Sequence, residues 1–258
     1  MKKVSMSSIV VESIRFTRQN YKSLGKLVII PFLLSVGMHF LPDVWSKIGF
    51  SPLLGIAFPP SIHTVISSLL DELILVLWLP KWIQYCENPK GTIKAFEVHA
   101  AYGRFFLYSL ILSAPPLVAI EWWAPLFSHL KSWAPAFYKP WIVVGVSGYL
   151  MINIRLSFLL PALALSKPTG FKRAWIETRP LFRDLLKLNV LYILYVLGLC
   201  LPFVFIIMLI VLSLILLKIS FEPFLEKLSP IIGIVVSYYF YSIYYTALTK
   251  FYLKSRKA

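Results

Sequence analysis

Two acidic residues, an arginine and an asparagine stand within runs that are mostly apolar, and their types suit the handling of ions or charged solutes. Asp71 and Glu72 lie inside Ile62 to Ile83, and Asn153 and Arg155 lie inside Trp141 to Leu165. A charge at the centre of a lipid bilayer costs roughly 2.5–3.5 kcal/mol on insertion scales, so each needs a partner or a wet cavity. If both runs cross in the same sense, Asp71 is about nine residues and Arg155 about fourteen from the start of its run. At about 1.5 Å per helical residue, their Cα heights then differ by about 7–8 Å. A guanidinium side chain spans that gap, so the spacing predicts Arg155 within reach of Asp71 or Glu72. Two roles compete for such a cluster. It is a pathway for an ion, solute or proton, or it is a buried pair that fixes helix register, with Arg155 snorkelling toward one face.

The elements that must position these residues are transmembrane helices. Of 258 residues, 59% are hydrophobic and only 14% charged, with a mean hydropathy of +0.76, which lies outside the range of soluble domains. The sequence predicts an all-α polytopic membrane protein, a bundle of six spans: Leu27 to Leu41, Ile62 to Ile83, Phe105 to Ile120, Trp141 to Leu165, Val190 to Leu217 and Ile231 to Thr249. Most are near the length that crosses about 30 Å of hydrocarbon. The first is short and the fifth long, and Pro31 and Pro202 inside them predict kinks or tilt.

Orientation follows from the basic residues, which are retained on the cytoplasmic side of a span. With the N-terminus inside, twenty Lys and Arg residues fall in inside segments and five outside, Lys47, Lys131, Lys139, Lys218 and Lys227. Both termini are therefore expected in the cytoplasm, and the formal charge of +15 is mainly a topological signal. Spread over four membrane-flanking segments, that charge predicts affinity for the lipid bilayer and its anionic headgroups and no nucleic-acid partner. Other membrane proteins are a further class of expected partner.

The N-terminal segment, residues 1–26, is too polar for the core of a cleavable signal peptide, so the first span in the transmembrane domain, residues 27–258, is expected to stay as an anchor. From Ser7 to Leu27, apolar residues alternate with Arg15, Arg18 and Lys22 at helical spacing, predicting an amphipathic helix in the headgroup region. A second such segment precedes the fifth span. Setting Ser13–Leu27 above Ala174–Leu188 pairs Thr17 with Thr178, Arg18 with Arg179, Tyr21 with Phe182 and Lys22 with Arg183, and also Leu24 with Leu185 and Leu27 with Leu188. Both precede an inside-to-outside span, so the relation predicted is a parallel repeat. Residues 92–102, before the third span, form a fainter third copy. The competing view is that any basic amphipathic lead-in to a span has this pattern.

Trp82-Ile-Gln-Tyr-Cys-Glu-Asn-Pro89, Ile154-Arg-Leu-Ser-Phe-Leu-Leu-Pro-Ala-Leu-Ala-Leu165 and Ala174-Trp-Ile-Glu-Thr-Arg179 together resemble uncharacterised six-span bacterial inner-membrane proteins. These are distantly similar to the YciC-like proteins and to the membrane domain of glycerophosphodiester phosphodiesterases. The resemblance implies a bacterial inner-membrane location and brings no catalytic residues, because in the phosphodiesterases the chemistry belongs to a separate soluble domain. Gly145-Val-Ser147-Gly148 is similar to the nucleophile segment of rhomboid proteases, which need a histidine base on the sixth span. The sixth span here has none, and His39, His63, His99 and His129 lie elsewhere. Small residues that permit close helix packing are the plainer reading.

Cys86 is placed in an inside loop and Cys200 within a span, so neither a disulfide nor a thiol site is expected. No nucleotide-binding loop or metal-ligand cluster is visible in the sequence, and no cofactor is expected. Trp45, Trp78, Trp82, Trp122, Trp123, Trp133 and Trp141 are predicted to anchor span ends at the headgroup boundary. Tyr238, Tyr239, Tyr241, Tyr244, Tyr245 and Tyr252 are predicted to pack against another helix through their hydroxyls or to line a polar groove. The leading expectation is a non-enzymatic integral membrane protein acting in scaffolding, assembly or envelope homeostasis. A transporter or channel subunit is the alternative, and an intramembrane serine protease the distant third.

Overall fold

The computed structural model describes residues 5–48, 60–89, 100–118, 135–216 and 222–256, with some helix ends described by backbone alone. The described residues form helices and no strands: α1 (Met6–Gln19), α2 (Tyr21–Ile48), α3 (Pro60–Glu87), α4 (Ala100–Val118), α5 (Pro135–Leu156), α6 (Leu159–Ala164), α7 (Phe171–Thr178), α8 (Phe182–Leu216) and α9 (Glu222–Arg256). Four stretches, Tyr21–Met38, Val143–Ala164, Phe182–Pro202 and Leu228–Arg256, are long and apolar enough to cross a membrane. Large apolar side chains such as Leu33, Val143, Val144, Leu194 and Leu201 lie exposed along them. Apolar surface of that extent is suited to lipid and not to water. The chain is a helical membrane protein.

Each break between helices has a local cause. Asn20 ends α1 by turning both its backbone N–H, at 3.0 Å, and its side-chain amide, at 2.8 Å, onto Phe16 O. Pro161 divides the predicted fourth span, because it has no N–H for Ser157 O and its ring crowds that carbonyl. The chain turns at Ser157 and Phe158, and the Ser157 hydroxyl takes Ile154 O at 2.8 Å. After α6, Ser166 adopts a left-handed φ of 52°. Lys167 N–H then reaches back to Ala162 O at 2.9 Å and Ser166 N–H to Leu163 O at 3.0 Å, so the final carbonyls of the helix are satisfied.

The helices pack as three consecutive pairs. The inner members α3, α6 and α9 all touch one another. Of the outer members, α2 lies against α3 and α9, α4 against α3 and α6, and α8 against α5 and α9. The short helix α1 packs on α8 and α9, which belong to the third pair, and α7 packs on α5, which belongs to the second. Each short helix thus lies on the pair that precedes it in a cyclic order.

The core sits at the end of the bundle that carries α1, α7 and the C-terminus of α9. Trp78 to Ile83, Ile154 to Leu165 and Ser242, Ile243 and Thr246 to Tyr252 (other than half-buried Lys250) are buried there on nearly every side. Trp82 Nε1 donates to Ser242 O at 3.0 Å and Thr246 Oγ1 at 2.9 Å, joining α3 to α9. Gln84 Nε2 donates to Ala164 O at 2.8 Å, joining α3 to α6. Phe158, just before α6, meets Phe251 and Tyr252 of α9 edge-on at 5.5 and 5.3 Å. Trp78 and Trp82, predicted as headgroup anchors, are instead fully buried, because they line the inner face of α3 where three helices converge. Cys86 likewise lies within α3 and not in a loop. Its thiol is 3.4 Å from Thr246 Oγ1.

Candidate functional site

Beyond the core, toward the opposite end, α2, α3 and α9 separate and leave a cavity of about 730 Å3. Asp71 and Glu72 reach its wall from α3, Ser35 from α2, and Ser237, Tyr238 and Tyr241 from α9. Trp78 and Tyr238 meet at 5.2 Å where the cavity meets the core, and the Tyr238 hydroxyl is 2.9 Å from Ser35 Oγ. Glu72 also receives a hydrogen bond from the Ser109 hydroxyl of α4. The buried Trp78 indole N–H has no hydrogen-bond partner among the described residues. The site therefore presents two carboxylates, several hydroxyls and aromatic faces in one groove. That combination suits an ammonium group, held by charge and by aromatic faces.

The predicted cluster is divided between two places. Arg155 is 8% exposed, and its guanidinium lies 4.6 Å from the Trp175 ring of α7 and 5.9 Å from the Phe182 ring of α8. Among the described residues no ion pair joins it to Asp71 or Glu72. The long side chain extends along α5 toward the α7–α8 elbow, where ring faces stabilise its charge. Height along the span matches Arg155 to the carboxylates, but helix rotation decides which neighbour a side chain meets. Asn153 turns back onto Tyr149 O at 3.1 Å, and Tyr149 OH donates to Leu112 O of α4 at 3.1 Å.

The Thr17 and Thr178 segments share one layout, a short helix, a break and a long helix. Burial agrees at most aligned positions: Ser13 and Ala174, Thr17 and Thr178, and Leu27 and Leu188 are buried, and Arg18 and Arg179, Lys22 and Arg183 are exposed, whereas Leu24 is half-buried where Leu185 is buried and Tyr21 is exposed where Phe182 is half-buried. Two acidic residues tie these short helices to the end of α9. Glu12 of α1 meets Lys254 at 3.1 Å and Lys250 at 4.0 Å, and Glu177 of α7 meets Arg256 at 3.0 Å. These clamps were not anticipated from the sequence, although Glu12 and Glu177 are the acidic members of basic segments, which is a usable signal.

The tyrosine row takes both predicted roles. Tyr238 and Tyr241 line the groove, while Tyr244 OH donates to Asn189 Oδ1 at 3.0 Å across to α8. Ser147 is exposed and makes no hydrogen bond among the described residues. The side chains of all four histidines lie outside the described residues, as do those of Trp45, Trp122, Trp123, Trp133 and Trp141. Among the described residues no group of His, Cys, Asp and Glu is arranged to hold a metal ion. The fold and groove define an integral helical membrane protein. In comparisons with known proteins, no family model, no curated protein and no solved structure matches the chain.

Proposed function

We propose that this chain is a six-span protein of a bacterial inner membrane, with both termini cytoplasmic, and that it binds a cationic solute in the groove of Asp71 and Glu72 as a transporter or channel subunit. Beyond the four apolar stretches, α3 and α4 are the further spans; at 28 and 19 residues they are about 42 and 28 Å long. The positive-inside pattern puts the α1/α7 end in the cytoplasm, so the groove faces outward. The carrying observation is that both carboxylates lie on one cavity together with Tyr238, Tyr241 and Trp78. Its volume falls in the usual range for small-molecule sites, about 300–1,000 Å3, and its lining favours an organic ammonium compound over a bare metal ion. The test is thermal unfolding of the purified protein with choline, polyamines and other ammonium compounds. At least one should raise the melting temperature, and Asp71→Asn with Glu72→Gln should abolish the rise. No response to any compound, or a response that survives both substitutions, would contradict the reading.

The second reading is a non-enzymatic scaffold or assembly factor. It is favoured by the closed packing of α3, α6 and α9 around Trp82 and Thr246, which leaves the groove without a described path through the core. A transporter caught open to one side shares that closure. Cross-linking α3 to α9 between Cys86 and Thr246→Cys, positions whose side chains lie 3.4 Å apart, separates them, because it stops transport and leaves scaffolding intact.

A further inference from the structure

Arg155 is a buried cation to which the groove gives no use. It is more than nine-tenths buried, its Nε has no hydrogen-bond partner, and no acidic side chain pairs with it among the described residues. Ring faces offset only part of the cost of burying a guanidinium, so a buried cation with no acidic partner is expected to meet an anion in the working protein. What surrounds it is the α7–α8 elbow. Its guanidinium lies beside Phe182, the first residue of the 35-residue helix α8. The N–H groups of Phe182, Arg183 and Asp184 make no backbone hydrogen bond in the loop, since the first such bond at this end is Leu185 N–H to Leu181 O at 2.9 Å. The start of a long helix carries partial positive charge and free donors. Arg179 and Arg183 are exposed on the same elbow and have no ion pair among the described residues. Glu177 is already engaged by Arg173 and Arg256. Asp184, half-buried in the first turn of α8, is the acidic neighbour that remains.

We propose that this elbow seats the phosphate of an anionic phospholipid, held by the Arg155 guanidinium, the first N–H groups of α8 and the side chains of Arg179 and Arg183. Charge-assisted bonds from arginine to phosphate are among the stronger polar contacts, and a helix N-terminus adds donors aimed at the same oxygens. Trp175, 39% exposed over the guanidinium, lies where an indole ring meets headgroups. The lipid source follows from the depth of the elbow, at the cytoplasmic boundary in the six-span orientation. The inference uses that orientation and is independent of the acidic groove.

The test uses the full chain in neutral detergent, titrated with phosphatidylglycerol, phosphatidylcholine or inorganic phosphate, with melting temperature and native mass spectrometry as readouts. Phosphatidylglycerol should raise the melting temperature and remain bound, whereas phosphatidylcholine and inorganic phosphate should do neither. Arg155→Met should weaken the lipid titration about tenfold or more. Because Arg155→Met alters a buried site, the exposed double variant R179Q/R183Q is the companion, and it should fold normally and weaken the titration in the same direction. Equal responses to the two lipids, or an unchanged titration in R179Q/R183Q, would overturn the site. A response to inorganic phosphate equal to that of the lipid would overturn the lipid assignment. Ammonium compounds should act alike on wild type and R179Q/R183Q, which separates this outcome from the fate of the groove.

Discussion

The Thr178 hydroxyl lies 2.6 Å from the backbone carbonyl of Arg155 and 2.8 Å from Ala174 O, whereas Thr17, its partner in the aligned segment, buries its hydroxyl with no hydrogen-bond partner among the described residues. The same substitution should therefore have opposite consequences. Thr178→Val leaves a carbonyl in the last turn of α5 unpaired and should cost about 1–3 kcal/mol. Thr17→Val removes an unsatisfied buried group and should be neutral or stabilising. Thermal unfolding of the two variants in detergent checks this, and equal losses would mean that the two elbows are held alike.

The Glu177 clamp has a pH dependence of defined sign. Burial raises the carboxyl, but hydrogen bonds from Arg173 Nε at 2.7 Å and Arg256 Nη2 at 3.0 Å, with both positive charges, bring it below its ordinary value of 4.5. A carboxyl lowered in the folded state contributes stability that is whole above the ordinary value and lost as pH falls through the lowered one. Wild type should therefore lose melting temperature faster than Glu177→Gln as pH falls below about 4.5. The difference should be modest, about 1 kcal/mol or less, because the pair is partly exposed. Parallel curves for the two proteins would mean that the clamp contributes nothing.

Ser166 is the described non-glycine residue with positive φ. A left-handed conformation costs an ordinary residue about 1–2 kcal/mol, and glycine returns part of that gain through its greater freedom when unfolded. Ser166→Gly should raise stability by up to about 1 kcal/mol, read as an increase in melting temperature without change in oligomeric state. A decrease would show that the serine side chain stabilises the turn more than its backbone strains it.

Much of this architecture could be read from the sequence, and the misplacements share one cause. Hydropathy located the long helices because lipid requires about 20 apolar residues per span. Thr17 and Thr178, aligned in the sequence, are both buried near the end of a short helix that precedes a long one. What the linear pattern could not give was the rotation of each helix about its own axis. Arg155 and Asp71 were matched in height, yet Arg155 turns to Trp175 while Asp71 turns to α9. Trp78 and Trp82 had the composition of anchors but face the inner contact of three helices. The break at Ser157 has its signal in Pro161, which lies inside a run whose hydropathy is continuous.

Topology is checked by reporter fusions. Fusions after Lys26, Pro89, Lys172 and Ala258 should report cytoplasmic, and those near Lys47, Lys131 and Lys227 external. An external reporter at either terminus would remove the six-span arrangement and, with it, the outward groove.

The central claim, an aqueous acidic groove open to the outside, is tested most directly at Ser237, which lines the cavity beside Tyr238. In a background with Cys86 and Cys200 replaced by Ala, Ser237→Cys should react in intact cells with a membrane-impermeant maleimide. Thr246→Cys, from the closed core, should remain unlabelled. Addition of an ammonium compound that shifts the melting temperature should slow the Ser237→Cys reaction. A Ser237→Cys protein that resists the impermeant reagent yet reacts with a lipid-soluble one would mean that lipid fills the groove, and would contradict the account.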